Sequence, residues 1–250
     1  LDIDNLKLDD EKTFKLFAKG KMTGVFQLES RVAQSTSRSL KPKRFEDIVA
    51  LVALIRPGPL GAGMHNEFAD RANNRKEIEY LHNDLESILN ETYGVILYQE
   101  QVMQIAEKIA GFNLQEADNL RVAMGKKIPK VMEEQRKKFT DGAVSNNYSE
   151  QFAIELFDQI AYFAGYGFNK SHSVPYALLA YQTAYLKANY PAEYIAACLT
   201  AVKRDKDRTA IFLSEARDMG VKVSTPDINL SSSDFTVNDN EILFGLSAVR

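Results

Sequence analysis

A mainly α fold that opens with a short β element and closes with a small β-sheet is what this sequence predicts, and three observations carry that prediction. Apolar residues recur at helical spacing, as in the run from Phe152 to Phe163. Helix starts and stops are marked by acidic first turns, glycines and prolines. After Gly220 the character changes to short strand-like runs separated by turn residues.

The elements follow in order. Asp9-Asp10-Glu11-Lys12 opens a short helix that carries Phe14 and Phe17 on one side and stops at Gly20. Val25-Phe26-Gln27-Leu28 reads as the short strand near the start. Phe45 to Ile55 is a strongly apolar helix ended by Arg56-Pro57-Gly58-Pro59, where two prolines forbid continuation and predict a rigid turn. Further helices are expected near 83–91, 99–111, 115–125, 129–146, 150–164, 174–189, 191–203 and 205–219. For the helix over 174–189, Ser173 is the expected N-cap and Pro175 falls in the first turn. Val221-Lys222-Val223, Phe235-Thr236-Val237-Asn238 and Glu241-Ile242-Leu243-Phe244 are the expected strands of the closing sheet. There is no internal repeat and no low-complexity linker, so the chain is read as a helical body over 1–204 and a helix plus small sheet over 205–250.

With 45% hydrophobic and 26% charged residues over 250 positions, the chain can bury a core as one large domain or two smaller ones. Cys198 is the single cysteine, which excludes an internal disulfide. Its setting in Ala196-Ala197-Cys198-Leu199 reads as a buried structural thiol in a reducing compartment. No apolar run reaches transmembrane length. A start at Leu1 and an end at Arg250 read as an excised fragment.

A net charge of -3 counts against a module whose whole task is to grip DNA. Positive charge is nevertheless concentrated locally. Arg121 to Lys138 carries seven basic residues against two acidic ones, and Arg31 to Arg44 carries five basic residues and no acidic one. Lys130 to Lys138 reads as a solvated helix face. Arg121, Lys126 and Lys127 form a tighter group suited to phosphate, with Gly125 expected to interrupt the helix and gather the cations at its end.

The run Gly165-Tyr166-Gly167-Phe168-Asn169-Lys170-Ser171-His172-Ser173-Val174-Pro175-Tyr176 places an ammonium, an imidazole and two hydroxyls where a long helix begins. The first N–H groups of a helix lack intrahelical partners and attract an anion, to which Lys170 and His172 add donors. A P-loop is excluded, because Asn169 stands where its glycine should precede the lysine and a helix rather than a strand leads in. The other reading of the run is a helix–helix connection with turn glycines and a capping serine.

His65, His82 and His172 lie far apart with no ligand-spaced partner, so a zinc site is not expected. The carboxylate pairs Asp9/Asp10, Glu46/Asp47 and Glu133/Glu134 sit at helix starts or on polar faces and receive no catalytic role. Tyr176, Tyr181, Tyr185 and Tyr190 do not share a helix face, since steps of five, four and five residues turn by roughly 140°, 40° and 140°. Tyr181 and Tyr185 read as packing residues beside the stripe Ala177, Ala180, Ala184 and Ala188. Tyr176 keeps a functional reading.

Five blocks together resemble the bacterial C-family replicative DNA polymerases, the DNA polymerase III alpha subunits. They are Gly24-Val25-Phe26-Gln27-Leu28-Glu29-Ser30, Leu51 to Leu60, Tyr93 to Met103, Leu120 to Lys127, and Gly165 to Tyr176 with the following Lys187 to Tyr194. The resemblance covers essentially the whole chain and implies a multi-helix fingers domain. Fingers of that family bind the incoming deoxynucleoside triphosphate, offset its charge and close so that the α-phosphate lines up with the primer end.

By the resemblance, Arg121, Lys126 and Lys127 form one phosphate-facing cluster. Asn169, Lys170, Ser171 and His172 form a second, and the Tyr176 ring meets the sugar or base. Gln27, Ser30, Arg31 and Arg56 are further candidates. For Ser30 the other reading is a helix cap, and for Arg56 a cap on terminal carbonyls. The family commonly has two adjacent arginines where this chain has Arg121-Val122.

The resemblance also implies that no catalytic residue lies in this chain. The aspartates that hold two Mg2+ ions belong to a palm domain, and this chain alone binds no metal. The implied partners are primer-template DNA, deoxynucleoside triphosphates, the palm of the same subunit and replisome components such as the sliding clamp, in the cytoplasm and away from membrane. The alternative is a nucleic-acid-binding or replisome-interaction module without a nucleotide site of its own.

Overall fold

A computed structural model describes residues 1–126, 128–164 and 166–249. In chain order the helices are α1 (Glu11–Lys19), α2 (Arg31–Leu40), α3 (Phe45–Leu54), α4 (Pro57–Gly61), α5 (Met64–Ala72), α6 (Glu86–Leu89), α7 (Gln99–Ala110), α8 (Leu114–Lys126), α9 (Pro129–Ser145), α10 (Glu150–Ala164), α11 (Lys170–Asn189), α12 (Pro191–Val202) and α13 (Lys206–Asp218). Strands β1 (Thr236–Asn238) and β2 (Glu241–Leu243) form the one sheet among the described residues. The fold is therefore mainly α with a small sheet near the C-terminus. No described helix is long and apolar enough to cross a membrane.

Packing groups the chain into two compact units, Leu1–Ile48 with Tyr176–Arg250, and Val49–Pro175. In the first, the Asp10 carboxylate caps α1 by accepting from Thr13 N at 2.8 Å and Thr13 Oγ1 at 2.6 Å. Burial works to raise the Asp10 pKa, but the Thr13 and Asn189 hydrogen bonds outweigh it and hold the carboxyl below its usual range. Phe14 packs on the buried Tyr181 ring, whose hydroxyl donates to Lys7 O and accepts from Asp10 N, both at 2.9 Å.

The sheet pairs Thr236 with Leu243, Val237 with Ile242 and Asn238 with Glu241. Its two-residue loop, Asp239-Asn240, holds φ of 47° and 64°, the left-handed values that a tight hairpin needs and that Asp and Asn tolerate. The expected strand at Val221 to Val223 contributes only a bridge from Val223 to Ile242. Leu199, Phe212, Val221, Phe235 and Ile242 close the core beneath it.

The short strand expected at Val25 to Leu28 is instead a turn. Val25 N donates to Met22 O at 2.9 Å and Leu28 N to Val25 O at 3.2 Å, while Gln27 holds φ 62°, which no extended strand allows. Side chains take up the remaining backbone groups. Lys187 Nζ donates to Lys21 O at 2.7 Å and Thr23 O at 2.8 Å, Tyr194 Oη donates to Gly24 O at 2.7 Å, and Phe26 N donates to Thr183 Oγ1 at 3.1 Å. Gly24 holds φ 79°, and a Cβ there would stand 2.9 Å from the Phe212 ring.

In the second unit, Val102, Ile105, Ile109, Leu120, Phe139, Leu156, Phe157 and Ile160 of α7 to α10 make the core. Phe139 lies 6.2 Å from the Phe112 ring and 5.6 Å from that of Phe157. The prolines after α3 end it, but they do not form only a rigid turn. Pro57 is tolerated at the first position of a helix, and the pair opens α4. Gly125 does not interrupt α8, which continues to Lys126.

Besides α4, two helices were absent from the sequence reading. In α2 the buried positions Ala33, Thr36, Ser37 and Leu40 have helical spacing, but two of the four are polar, which hides the apolar period. Ser37 is satisfied there by donating to Phe17 O at 2.8 Å. In α5 only Met64, Phe68 and Ala69 are buried.

Lys187 is 1% exposed and also pairs with Glu215 at 2.8 Å, and burial pushes its ammonium below the usual lysine range. Lys187→Ala would leave Glu215 and two carbonyls unpaired, at a cost of about 3–5 kcal/mol in urea denaturation. Lys187→Met with Glu215→Leu, which removes both charges, is expected to cost less than Lys187→Ala alone. Equal losses in the two proteins would refute the lysine's bonding role.

Candidate functional site

The site is best built from the start of α7, inside the unit Val49–Pro175. Tyr98 and Phe168 form a parallel bridge in which Gln99 N donates to Phe168 O at 2.9 Å and Phe168 N donates to Leu97 O at 3.1 Å. The next three side chains diverge. Gln99 donates to Gly167 O at 3.5 Å and accepts from Arg121 Nη1 at 3.5 Å. Glu100 reaches the first turn of α11. Gln101 accepts from Leu97 N and Tyr98 N at 2.9 and 3.0 Å and donates to Thr92 Oγ1 at 2.8 Å. The sequence reading quoted this block without assigning a role to any of the three.

The first N–H groups of α11 are all partnered. Lys170 N donates to both Glu100 oxygens at 3.0 Å, and Ser171 N to one of them at 3.4 Å. His172 N donates to Asn169 Oδ1 at 3.0 Å, and Ser173 N to Asn169 O at 3.1 Å. Asn169 is thus the cap that was expected of Ser173, and α11 begins three residues before Ser173. Ser173 is fully buried within the helix and donates to Val49 O at 2.6 Å, and Pro175 lies inside the helix. A negative charge of the chain itself sits on this helix end. It is the carboxylate of Glu100.

Lys170, Arg121 and Arg56 are engaged as well. Lys170 Nζ lies 2.7 and 2.8 Å from the two oxygens of Glu91 and 5.6 Å from the centre of the Tyr98 ring. Arg121 binds Asp118 through Nε and Nη2, both at 2.8 Å. Arg56 donates to Ala53 O at 2.9 Å, which matches the capping reading, and its Nη2 reaches Tyr166 O at 2.6 Å. Its guanidinium lies 4.3 Å from the centre of the Phe168 ring, and burial lowers its pKa. A Cβ on Gly58 would stand 2.5 Å from Tyr166 Cδ1, so only glycine lets the turn at Pro57 lie against that ring.

His172, edge-on to Phe168, is exposed, as are Asn169, Ser171 and Lys126. Lys127 lies outside the described residues. Arg136 pairs with Asp158, and Lys138 pairs with Glu116 at 2.8 Å, which fits the solvated reading of α9. A cavity of about 830 Å³ in this unit is lined by Glu67, Arg71, Lys76, Leu85, Ile96 and Phe163 among others and contains none of the predicted site residues. Inside it Glu67 binds both Arg71 and Lys76.

The remaining candidates belong to the other unit. The Tyr176 ring meets Phe26 at 5.5 Å, and Ser30 caps α2 by accepting from Ala33 N at 3.2 Å. Gln27 and Arg31 are exposed. Glu29 chelates Arg208 at 2.9 and 3.4 Å, a bond that raises the arginine pKa. Tyr181 is buried, in line with its packing reading. Cys198 is half-buried and its thiol pKa is pushed up by burial. Among the described residues no group of three or more His, Cys, Asp or Glu is placed to hold a metal ion.

A helix start whose first N–H groups hold a carboxylate, beside a helix that carries Arg121, is an anion-holding arrangement built from this chain's own residues. The model of the bacterial DNA polymerase III alpha subunit finger domain matches residues 1–147, and a helix-hairpin-helix motif model matches residues 220–250. The chain belongs to the bacterial DNA polymerase III alpha subunit family. It is 50% identical to DNA polymerase III subunit alpha of Saccharopolyspora erythraea over 254 residues, and 48% identical to that of Escherichia coli K12 over 256. Identity to the Mycobacterium tuberculosis protein of the same name is 47% over 254 residues. Each alignment covers 100% of this chain but 21–22% of the relative, so the chain spans about a fifth of the length of these curated relatives.

Arg56 offers a direct check of how this site is held. Arg56→Lys keeps the charge but cannot reach both carbonyls and stack on Phe168, and is expected to cost about 1–3 kcal/mol. The amide protons of Gln99 and Phe168 should then exchange faster with solvent, while those in the middle of α9 stay unchanged. Unaltered exchange at Gln99 and Phe168 would show that Arg56 does not hold the bridge.

Proposed function

We propose that this chain is the fingers part of a replicative DNA polymerase subunit, which binds the incoming deoxynucleoside triphosphate and contacts primer-template DNA during template-directed synthesis. The observation that carries this reading is identity of 47–50% along the whole chain to proteins named DNA polymerase III subunit alpha. In this reading Lys170, Arg121, Lys126 and Lys127 offset triphosphate charge, and Asn169, Ser171 and His172 supply donors beside them. Tyr176 offers a ring to the sugar or base. Gln27, Ser30 and Arg31 are lesser contacts. Arg56 serves by holding the Tyr166 to Asn169 segment.

Two Mg2+ ions held by the palm aspartates would activate the primer hydroxyl and stabilise the leaving pyrophosphate. The setting is cytoplasmic, with the palm and replisome components such as the sliding clamp as partners. A stand-alone nucleic-acid-binding or replisome-interaction module fits less well, because the net charge of -3 leaves little for non-specific DNA binding. The isolated 250-residue chain is accordingly expected to be inactive in primer extension with magnesium, and sustained incorporation copurifying with it would contradict this reading.

Within the full-length subunit, Lys170→Ala and Arg121→Ala each remove a charge-assisted bond to phosphate worth about 1.5–3 kcal/mol, or roughly ten- to a hundredfold in incorporation efficiency. Primer-template affinity should hardly change. Lys137→Ala, on the exposed face of α9, removes the same charge elsewhere and serves as the control. Steady-state efficiency for one correct nucleotide separates the cases. If both variants behave like Lys137→Ala, the phosphate assignment fails.

A further inference from the structure

Lys170 and Arg121, two of the four cations assigned to the triphosphate, are held by carboxylates of this chain. Lys170 stands on Glu91 and Arg121 on Asp118, while Glu100 sits on the first N–H groups of α11 and Arg56 on backbone carbonyls. A cation already paired with a carboxylate has little pull of its own on a polyanion. For either cation to meet a phosphate its carboxylate must give it up, and the geometry shows which pair exchanges most readily.

Asp118 sits one helical turn from Arg121 on the same helix and holds it through two nitrogens. Glu100 is bound by backbone N–H groups and anchors the first turn of α11. Glu91 differs from both. It lies 79 residues from Lys170 in sequence, on the 3-10 turn Asn90–Thr92, and both its oxygens lie on the Lys170 ammonium. The lysine side chain is 37% exposed and that of Glu91 31%. A pair so open to water is worth little, less than about sixfold in an equilibrium constant, so an arriving phosphate can replace it.

We infer that Glu91 is a built-in competitor for Lys170: its carboxylate occupies the ammonium until a nucleotide phosphate takes its place. The inference rests on the nucleotide-binding reading above and adds to it a residue that tunes nucleotide affinity. Any anion that takes Lys170 must first break the Lys170–Glu91 pair, so Glu91 lowers the affinity of every such ligand by the same factor.

The test is a double-mutant cycle in the full-length subunit, reading KM for one correct nucleotide and inhibition by inorganic triphosphate and by inorganic phosphate. Glu91→Gln keeps shape and hydrogen bonding but removes the charge, and should lower KM about two- to sixfold. It should tighten inhibition by inorganic phosphate and by inorganic triphosphate by about the same factor as it lowers KM. In a Lys170→Ala background Glu91→Gln should have no effect, because the group it competes for is gone.

A rise in KM for Glu91→Gln, no change, or a fall that persists without Lys170 would overturn the inference. Thermal midpoints of all four proteins identify misfolding, and Glu91→Asp, whose shorter side chain weakens the pair while keeping the charge, should fall between wild type and Glu91→Gln. If Lys170→Ala itself leaves KM and incorporation unchanged, the nucleotide reading fails at its root. If Lys170→Ala impairs incorporation while Glu91→Gln behaves as wild type, the competitor role alone is wrong.

Discussion

A carboxylate seated on the first turn of α11 is the interaction on which the candidate site depends. The free N–H groups at a helix start carry partial positive charge, and Glu100 satisfies two of them from the beginning of α7. One residue earlier the backbone of Gln99 bridges to Phe168, so side chain and main chain together fix where α11 starts. Because α7 is itself buried through Val102, Ile105 and Ile109, the helix end is referenced to a rigid core and not to a surface loop. The Arg56 guanidinium closes the arrangement from the other direction by taking Tyr166 O and covering Phe168.

This construction separates holding from binding. Backbone-directed bonds from Glu100, Gln99 and Gln101 are short-range and geometric, and they keep the segment in place whatever its charge. The ion pairs at Lys170 and Arg121 are half-exposed side-chain contacts whose energies are small against solvent and salt. A site for a polyanion benefits from that division: the frame is preorganised, while the cations are satisfied only loosely and can change partners.

The turn at Gly24 to Ser30 rests on a different balance. Lys187, buried and pushed below its usual pKa, is retained because its ammonium satisfies two carbonyls and a carboxylate at once. Tyr194 and Thr183 bind the adjoining carbonyl and amide, and with Gln27 at φ 62° the block that reads as a strand is held as a turn. Its conformation is set by residues more than 150 positions away.

What the sequence alone determined is local. Asp10 and Gly20 bracket α1, prolines open α9 and α12, Asp205 caps α13 and Asp239-Asn240 turns the hairpin, because caps and turns act over three or four residues. Family membership and the positions of the cations were equally legible. What only the tertiary structure decided is the set of partners. Asn169 rather than Ser173 caps α11 because Ser173 falls one turn inside, where burial commits its hydroxyl to Val49 O. The helix α2 escaped notice because its buried face is half polar, and a buried Ser37 is recognisable only once Phe17 O is beside it. Glu100 and Glu91 stand 70 and 79 residues from Lys170, so no spacing rule connects them. Long-range charge pairing follows from how the helices pack, and a one-dimensional pattern does not contain that information.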